Sequence, residues 1–289
     1  MNRRLRPFVL LFILGAAAPL AADIRFELGF GWALVGSAMN ASYVNQYAPP
    51  LTAGPTVPPP PDRYISSSAG QTISFKGKSG YGMIGYFNAL FTENIGFQVL
   101  ADYHRPGLGG SNTPYNIEMQ YLAFEPETYS READWPASAG NLTETTFSLN
   151  ALARFRIADS LSLSVSAGPS IFHFEGKAGY IGYTFFNLDF IDDKYERSGA
   201  TYQMVASFGP QTKYGFNAGV EAAYEAFQNV ILAFDVRWYG APESDLQMHI
   251  VEDDVITKPI DEIETTIGLG TLRVNPSYFR AGLAIRFVF

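Results

Sequence analysis

The 289-residue chain contains no cysteine, only three histidines, and few charged residues, 17% of the total. Without cysteine an exported fold has no disulfide framework and is held by backbone pairing and packing alone. Nucleophilic hydrolysis needs a Ser or Asp nucleophile system with a positioned His. His104, His173 and His249 lie in the contexts HRP, HFE and HIV, and none forms a His-x-Ser pair. His173 and Glu175 share one strand face, but no nucleophile stands beside them in the sequence. Metal-ligand spacings and a Gly-rich phosphate loop after a strand are also missing, so the chain reads as a non-enzyme with no cofactor. After the first two dozen residues no apolar run reaches the ~20 residues of a spanning helix. Any membrane crossing must then use strands, because in lipid only helices and closed barrels satisfy every backbone N–H and C=O.

Aromatic residues are plentiful at 15%, with 23 Phe, 17 Tyr and 27 Gly, a mixture that favours strands. The N-terminus MNRRLRPFVLLFILGAAAPLAAD has a basic start (Arg3, Arg4, Arg6), an apolar stretch from about Phe8 to Ala18, and a small-residue run ending at Ala22. This is the anatomy of a secretory signal peptide, expected over residues 1–22, rather than of an anchor. Its removal leaves 17 basic residues against 28 acidic ones, a net charge near −11, which argues against nucleic acid as a partner.

Period-2 alternation recurs along the rest of the chain. Ile24, Phe26, Leu28, Phe30, Trp32 and Leu34 alternate with Arg25, Glu27, Gly29, Gly31 and Ala33. The same pattern appears in IGFQVLADYH from Ile95, TFSLNALARFRI from Thr146, LSLSVSAGPSI from Leu161, KYGFNAGVEAAY from Lys213, VILAFDVRW from Val230 and YFRAGLAIRFVF from Tyr278. YGMIGYFNALF, residues 81–91, is strand-like with two faces that are hard to tell apart, and completes a set of eight. Three connections are tight, at Thr92–Asn94, Ala158–Ser160 and around Ala226–Asn229. The other four are long, at about 36–72, 105–143, 176–211 and 240–275. Short and long connections alternate strictly, as in a transmembrane barrel with tight turns on one side and long loops on the other. The competing architecture is a soluble antiparallel sandwich or lipocalin-like barrel with its apolar face inside. In the third long segment, GYIGYTFFNLDF and TYQMVASFGP either extend the fifth and sixth strands or add two more, making ten.

Aromatic side chains at the stripe ends decide between these. Phe155 and Phe289 lie at the turn side, with Trp32, Tyr103, Tyr214 and Trp238 at the loop side, as two interfacial girdles would require. The opposite face carries sparse charges of both signs among Gly, Ala and Ser, suited to a narrow lumen. That inward set is Arg25, Glu27, Asp102, Arg154, Arg156, Glu221, Asp235, Arg237, Arg280 and Arg286. Unpaired buried charges are costly, so the set is expected to pair into a network that plugs the lumen; the functional alternative is a gated ion path. The fold expected is thus all-β: an antiparallel up-and-down transmembrane barrel over residues 23–289, of eight strands, or ten.

FTENIGFQVLADY, FRIADSLSLSVSAG, YEAFQNVILAFDVRWY and the terminal FRAGLAIRFVF resemble the small outer-membrane β-barrel family, that of the OmpA transmembrane domain and the OmpX and opacity-type proteins. The resemblance covers the strands, about 100 of the 289 residues, and leaves the loops without a counterpart. It implies an outer-membrane location, a lumen salt-bridge network, and a terminal strand read by the barrel-assembly machinery through Leu283, Ile285, Phe287 and Phe289. The chain ends on that strand, so no C-terminal periplasmic domain of the kind found in some relatives is expected. The function expected is structural or surface-interacting, through the loops, with outer-membrane lipid and lipopolysaccharide as partners. The alternative is a small OmpW-like channel for ions or small apolar solutes. The first loop carries four prolines at 58–61, which favour an extended segment. It reads either as a protease-resistant surface loop or as a ligand for a partner's groove. Acidic clusters in the second loop (Glu118, Glu125, Glu127, Glu132, Asp134) and the fourth (Glu252, Asp253, Asp254, Asp261, Glu262, Glu264) could hold Ca²⁺ or Mg²⁺, but lack an EF-hand spacing and read as solvated.

Overall fold

The computed structural model describes residues 24–37, 40–47, 52–53, 65–112, 115–121, 127–131, 139–191, 194–253, 259–261, 264 and 270–289. Residues 1–22, read as the signal peptide, and the prolines at 58–61 lie outside the described residues. The strands in chain order are β1 (Arg25–Ser37), β2 (Asn40–Tyr47), β3 (Thr52–Ala53), β4 (Ile65–Gly77), β5 (Gly80–Leu90), β6 (Ile95–His104), β7 (Gly107–Asn112) and β8 (Tyr115–Tyr121). They continue with β9 (Glu127–Arg131), β10 (Ala139–Ala158), β11 (Leu161–Ile191), β12 (Lys194–Phe227), β13 (Val230–Gly240), β14 (Ser244–Asp253), β15 (Thr271–Val274) and β16 (Tyr278–Val288).

Eight of these close a ring: β1–β5–β6–β10–β11–β12–β13–β16 and back to β1, antiparallel throughout. Closure leaves no free edge among these eight paired strands, which is what an apolar solvent demands. The closing seam pairs Leu28 with Phe287 and Trp32 with Leu283, joining the two ends of the chain. Phe289 N–H donates to Phe26 O at 2.9 Å, so the last residue is part of the ladder. Gly31 sits where β1 and β16 approach closely; a Cβ there would lie 2.1 Å from Leu283 O. The tight connections are those expected, and Asn229 closes one with φ 66°, a conformation Asn tolerates through its short side chain.

Alternation sends the apolar set outward. Trp32 is 66% exposed and Phe289 76%, and Phe155, Tyr103, Tyr214 and Trp238 are exposed with them at the two rims. Residues 81–91 resolve cleanly: Tyr81 and Met83 face out, while Ile84, Tyr86, Asn88 and Leu90 are buried inside.

The segments expected as loops are largely strand. β11 and β12 run on as one hairpin, so the third segment extends existing strands and the ring stays at eight. The other long connections complete a second closed ring above the first: β10–β7–β4–β2–β15–β14–β12–β11. Its interior is apolar and tightly filled by Phe75, Leu108, Leu142, Phe174, Met204, Phe208, Met248 and Leu272. Beyond it, β8 pairs with β4 and with β9, and β3 with β11.

Candidate functional site

The lumen of the first ring gathers polar side chains from all eight strands, because their partners on alternate positions are committed to the outer face. Nearest the tight turns lies Glu27 of β1, with no exposed surface. Arg154 of β10 grips it with two bonds, Nη1 to Oε1 at 2.6 Å and Nη2 to Oε2 at 2.8 Å. Asn88 Nδ2 donates to the same carboxylate at 2.9 Å. Arg286 Nη1 stands 3.6 Å from Glu27 and 2.9 Å from Glu221, bridging the two acids. Arg25 reaches Glu27 at 3.3 Å from the rim, with 40% of its side chain exposed. Arg156 has the expected inward parity, yet it is exposed and makes no ion pair among the described residues. It lies two residues from the end of β10, where the lumen opens into a mouth of about 350 Å³ lined also by Arg25, Asn94 and Ser162. The expectation that Arg156 joins the network is therefore corrected: parity is preserved there but enclosure is not.

The middle layer centres on Asp235 and Arg237 of β13. Asp235 accepts from Tyr86 Oη at 3.1 Å, from Arg237 Nε at 3.4 Å, and from Arg280 Nη2. Arg237 spends its remaining nitrogens on Ser166 at 2.6 Å, Gln98 at 3.0 Å and Asn217. Asn217 in turn donates to Asn150 at 2.7 Å and Ser170 at 2.9 Å. A guanidinium with five fixed donors needs this many acceptors when buried.

Above it, Arg280 Nη1 lies 2.8 Å from Asp102, which also accepts from Tyr239 Oη. Tyr239 stacks on Tyr278 at 4.4 Å between centroids, and Tyr278 packs against His104 at 4.2 Å. His104 Nε2 stands 3.4 Å from Glu144, both fully enclosed. Phe172 closes this floor edge-on to both tyrosines. Sequence reasoning missed Tyr86, Asn88, Tyr239, Tyr278 and Glu144. Tyr239 and Tyr278 continue the parity of Arg237 and Arg280, a signal that was present; Tyr86 lay in the strand whose faces were not separable.

Of the assembly-signal residues, Leu283, Phe287 and Phe289 face outward and Ile285 is half-buried beside them. His173 Nδ1 contacts Thr212 Oγ1 at 3.1 Å on the outer surface, and His249 Nδ1 faces Glu264 at 3.6 Å. Among the described residues no three His, Cys, Asp or Glu side chains stand together as a metal site would require. Glu118, Glu127 and the rest of the second-loop acids carry no described side chain.

A closed antiparallel ring with an apolar outer belt and a charged, enclosed lumen defines a transmembrane β-barrel, the architecture of the small outer-membrane barrels. Among solved structures the chain is similar to OmpT, the outer membrane protease of Escherichia coli, at 7% identity and TM-score 0.41, over 94% of this chain and 100% of that one. It is similar also to Ail, the attachment invasion locus protein of Yersinia pestis, solved with the heparin analogue sucrose octasulfate, at 12% identity and TM-score 0.34, over 92% and 99%. The beta domain of the Bordetella autotransporter BrkA follows at 8% identity and TM-score 0.23, over 93% and 100%. No protein-family model matches the sequence, and no curated protein matches it.

Proposed function

We propose that this chain is an exported, outer-membrane barrel without enzymatic activity that serves as a structural and surface-interacting platform, its contacts made by the long connections. The observation that carries the reading is the second ring. Four connections that a simple pore would leave as loops are instead hydrogen-bonded into one wall around an apolar core. Such a wall holds its outward residues in fixed positions, which is what a binding surface needs. The lumen beneath supports the non-conducting version of this reading. Its buried arginines are matched to carboxylates, and the described residues that fill the interior above them are apolar. In the same reading residues 1–22 are removed on export, and the outward Leu283, Phe287 and Phe289 of the last strand, with Ile285, engage the barrel-assembly machinery.

Two measurements test it. In planar bilayers neither the native chain nor an Arg154→Gln/Arg286→Gln variant should give steady single-channel conductance; regular openings of the native chain would establish the pore instead. On intact cells, a membrane-impermeant thiol reagent should label Asp245→Cys on the second ring and leave Asp159→Cys at a tight turn unlabelled. The natural absence of cysteine makes that readout unambiguous, and the reverse pattern would refute the orientation.

A further inference from the structure

The chain is acidic overall, with 28 Asp and Glu against 20 Lys and Arg, and the buried arginines of its lumen are all paired. Against that background four cations on the outside stand out. Lys76 of β4, Lys78 just after it, Arg105 just after β6, and Lys177 of β11 are all exposed, and none has an ion-pair partner among the described residues. The strand register brings them together. Lys78 N–H donates to Gly107 O at 2.8 Å; Gly107 pairs with Asn141, and Asn141 with Lys177. Lys76 is opposite Gly109 one step further out. Three interstrand steps of about 4.8 Å thus separate Lys78 from Lys177, a span of roughly 14 Å. Arg105 is pinned between them by its Nε bond to Thr143 Oγ1 at 3.2 Å. Glu175, opposite Thr143, is the one described carboxylate on this patch, against four cations.

The floor of the patch is glycine. A Cβ at Gly109 would come within 2.5 Å of Lys78 Cε, so the lysine lies flat across the bare backbone. Its height is set by its neighbours. Arg105 follows Tyr103 on the same outward face of β6, and Lys78 stands three residues from Tyr81, which is 82% exposed. Below these aromatics the wall is apolar through Met83, Val99, Phe147 and Leu149. A cationic shelf at the upper edge of a continuous apolar wall matches an amphiphile with acyl chains below and anionic groups above.

We infer that Lys76, Lys78, Arg105 and Lys177 form a binding shelf for the phosphate groups of a phosphorylated glycolipid of the outer leaflet, of the lipopolysaccharide class. This rests on the loops facing outward, as proposed above, and names one partner of that surface. Charged contacts at a membrane surface are individually modest, so affinity comes from the set.

The test uses the full chain refolded into phosphatidylcholine nanodiscs containing bisphosphorylated lipid A, with co-retained lipid quantified by mass spectrometry. The Lys76→Gln/Lys78→Gln/Arg105→Gln/Lys177→Gln variant should retain about tenfold less lipid A than the native chain, whereas Arg273→Gln, whose guanidinium is paired with Asp245, should retain as much. Native retention should also fall as salt is raised and when lipid A is stripped of its phosphates. Equal retention by native and quadruple variant, insensitivity to salt, or full retention of dephosphorylated lipid A would each overturn the inference. Displacement of lipid A by millimolar inorganic phosphate would overturn the glycolipid in favour of a free-anion site. Heat-modifiable gel migration reports folding separately, and a variant that does not fold leaves the decision to the salt and dephosphorylation arms on the native chain. An inverted thiol-labelling pattern with intact lipid A retention would refute the orientation and not the shelf.

Discussion

Replacing Glu27 by Leu should be among the most damaging single changes in the barrel. Glu27 is fully buried and accepts both Nη atoms of Arg154. Without it Arg154 keeps only a bond from Nε to Ser164 Oγ at 3.3 Å, while Arg286 keeps Glu221 at 2.9 Å. One buried guanidinium is therefore stranded, and stripping one partner from a buried ion pair costs about 3–5 kcal/mol. Arg154→Leu should cost less, near the lower end of that range or about 3 kcal/mol, since Glu27 retains Asn88 and the more distant Arg286. Removing both charges in Glu27→Leu/Arg154→Leu leaves an apolar gap and no stranded ion. The double variant should thus be more stable than the sum of the singles predicts, by about 2 kcal/mol or more. Urea unfolding in phospholipid vesicles, read by gel migration and tryptophan fluorescence, measures all three. With a slope near 2 kcal/mol/M, Glu27→Leu lowers the midpoint by roughly 1.5–2.5 M. A Glu27→Leu midpoint within about 0.5 M of the native one, or strictly additive singles, would refute the network as the reason for the lumen's composition.

Two further perturbations probe the wall. Deleting Phe289 removes the paired bonds with Phe26 and one outward aromatic, so surface-exposed folded protein should fall several-fold on immunoblots of outer-membrane fractions; deleting several residues within 48–61 should not have this effect, and equal losses would refute an assembly role for the last strand. Gly31→Val places its branched Cβ against Leu283 O at the seam, where 2.1 Å is available, and should block heat-modifiable folding in vitro; normal refolding would show that β1 and β16 can separate without penalty.

The first ring was legible because lipid imposes a simple rule. Ile24 through Leu34 alternate without a break, and the tight turns at 92–94, 158–160 and 226–229 punctuate the pattern. The identity of the lumen partners was not legible. Arg154 and Glu27 are 127 residues apart, and their bond exists only because β1, β5, β6 and β10 are adjacent in the ring. Local parity names the candidates, and register over the whole sheet chooses among them. The second ring was hidden for a different reason. Leu246, Met248 and Ile250 alternate with Asp245, Gln247 and His249, as in any strand, but they lie in a segment whose length suggested a loop.

The two rings also resolve the competition between a membrane barrel and a soluble one, since single strands obey each rule in turn. On β11, Val165 and Ile171 face out while Ser164, Ser166 and Ser170 are buried within. Two residues on, the polarity inverts: Phe172 and Phe174 are buried inside, and His173, Glu175 and Lys177 face out. β10 inverts between Glu144 and Leu142, both inward, four residues further along the register, because Ser170 and Phe172 are opposite Ser148 and Thr146; the two turnovers bracket the level of Phe172 and Glu144. Across the lumen, Tyr239 and Tyr278 share that level as residues with one apolar face and one polar tip. An apolar exterior is stable only against lipid, and an apolar interior beneath a polar exterior only against water. The inversion therefore marks where the surrounding medium changes, and it places one edge of the bilayer, the edge on the side of the second ring, close to the His104–Glu144 layer. This is why that layer holds the barrel's mixed side chains: the paired charges below serve a wall that has to spend its apolar residues on lipid, and the phenyl rings above serve a wall that does not.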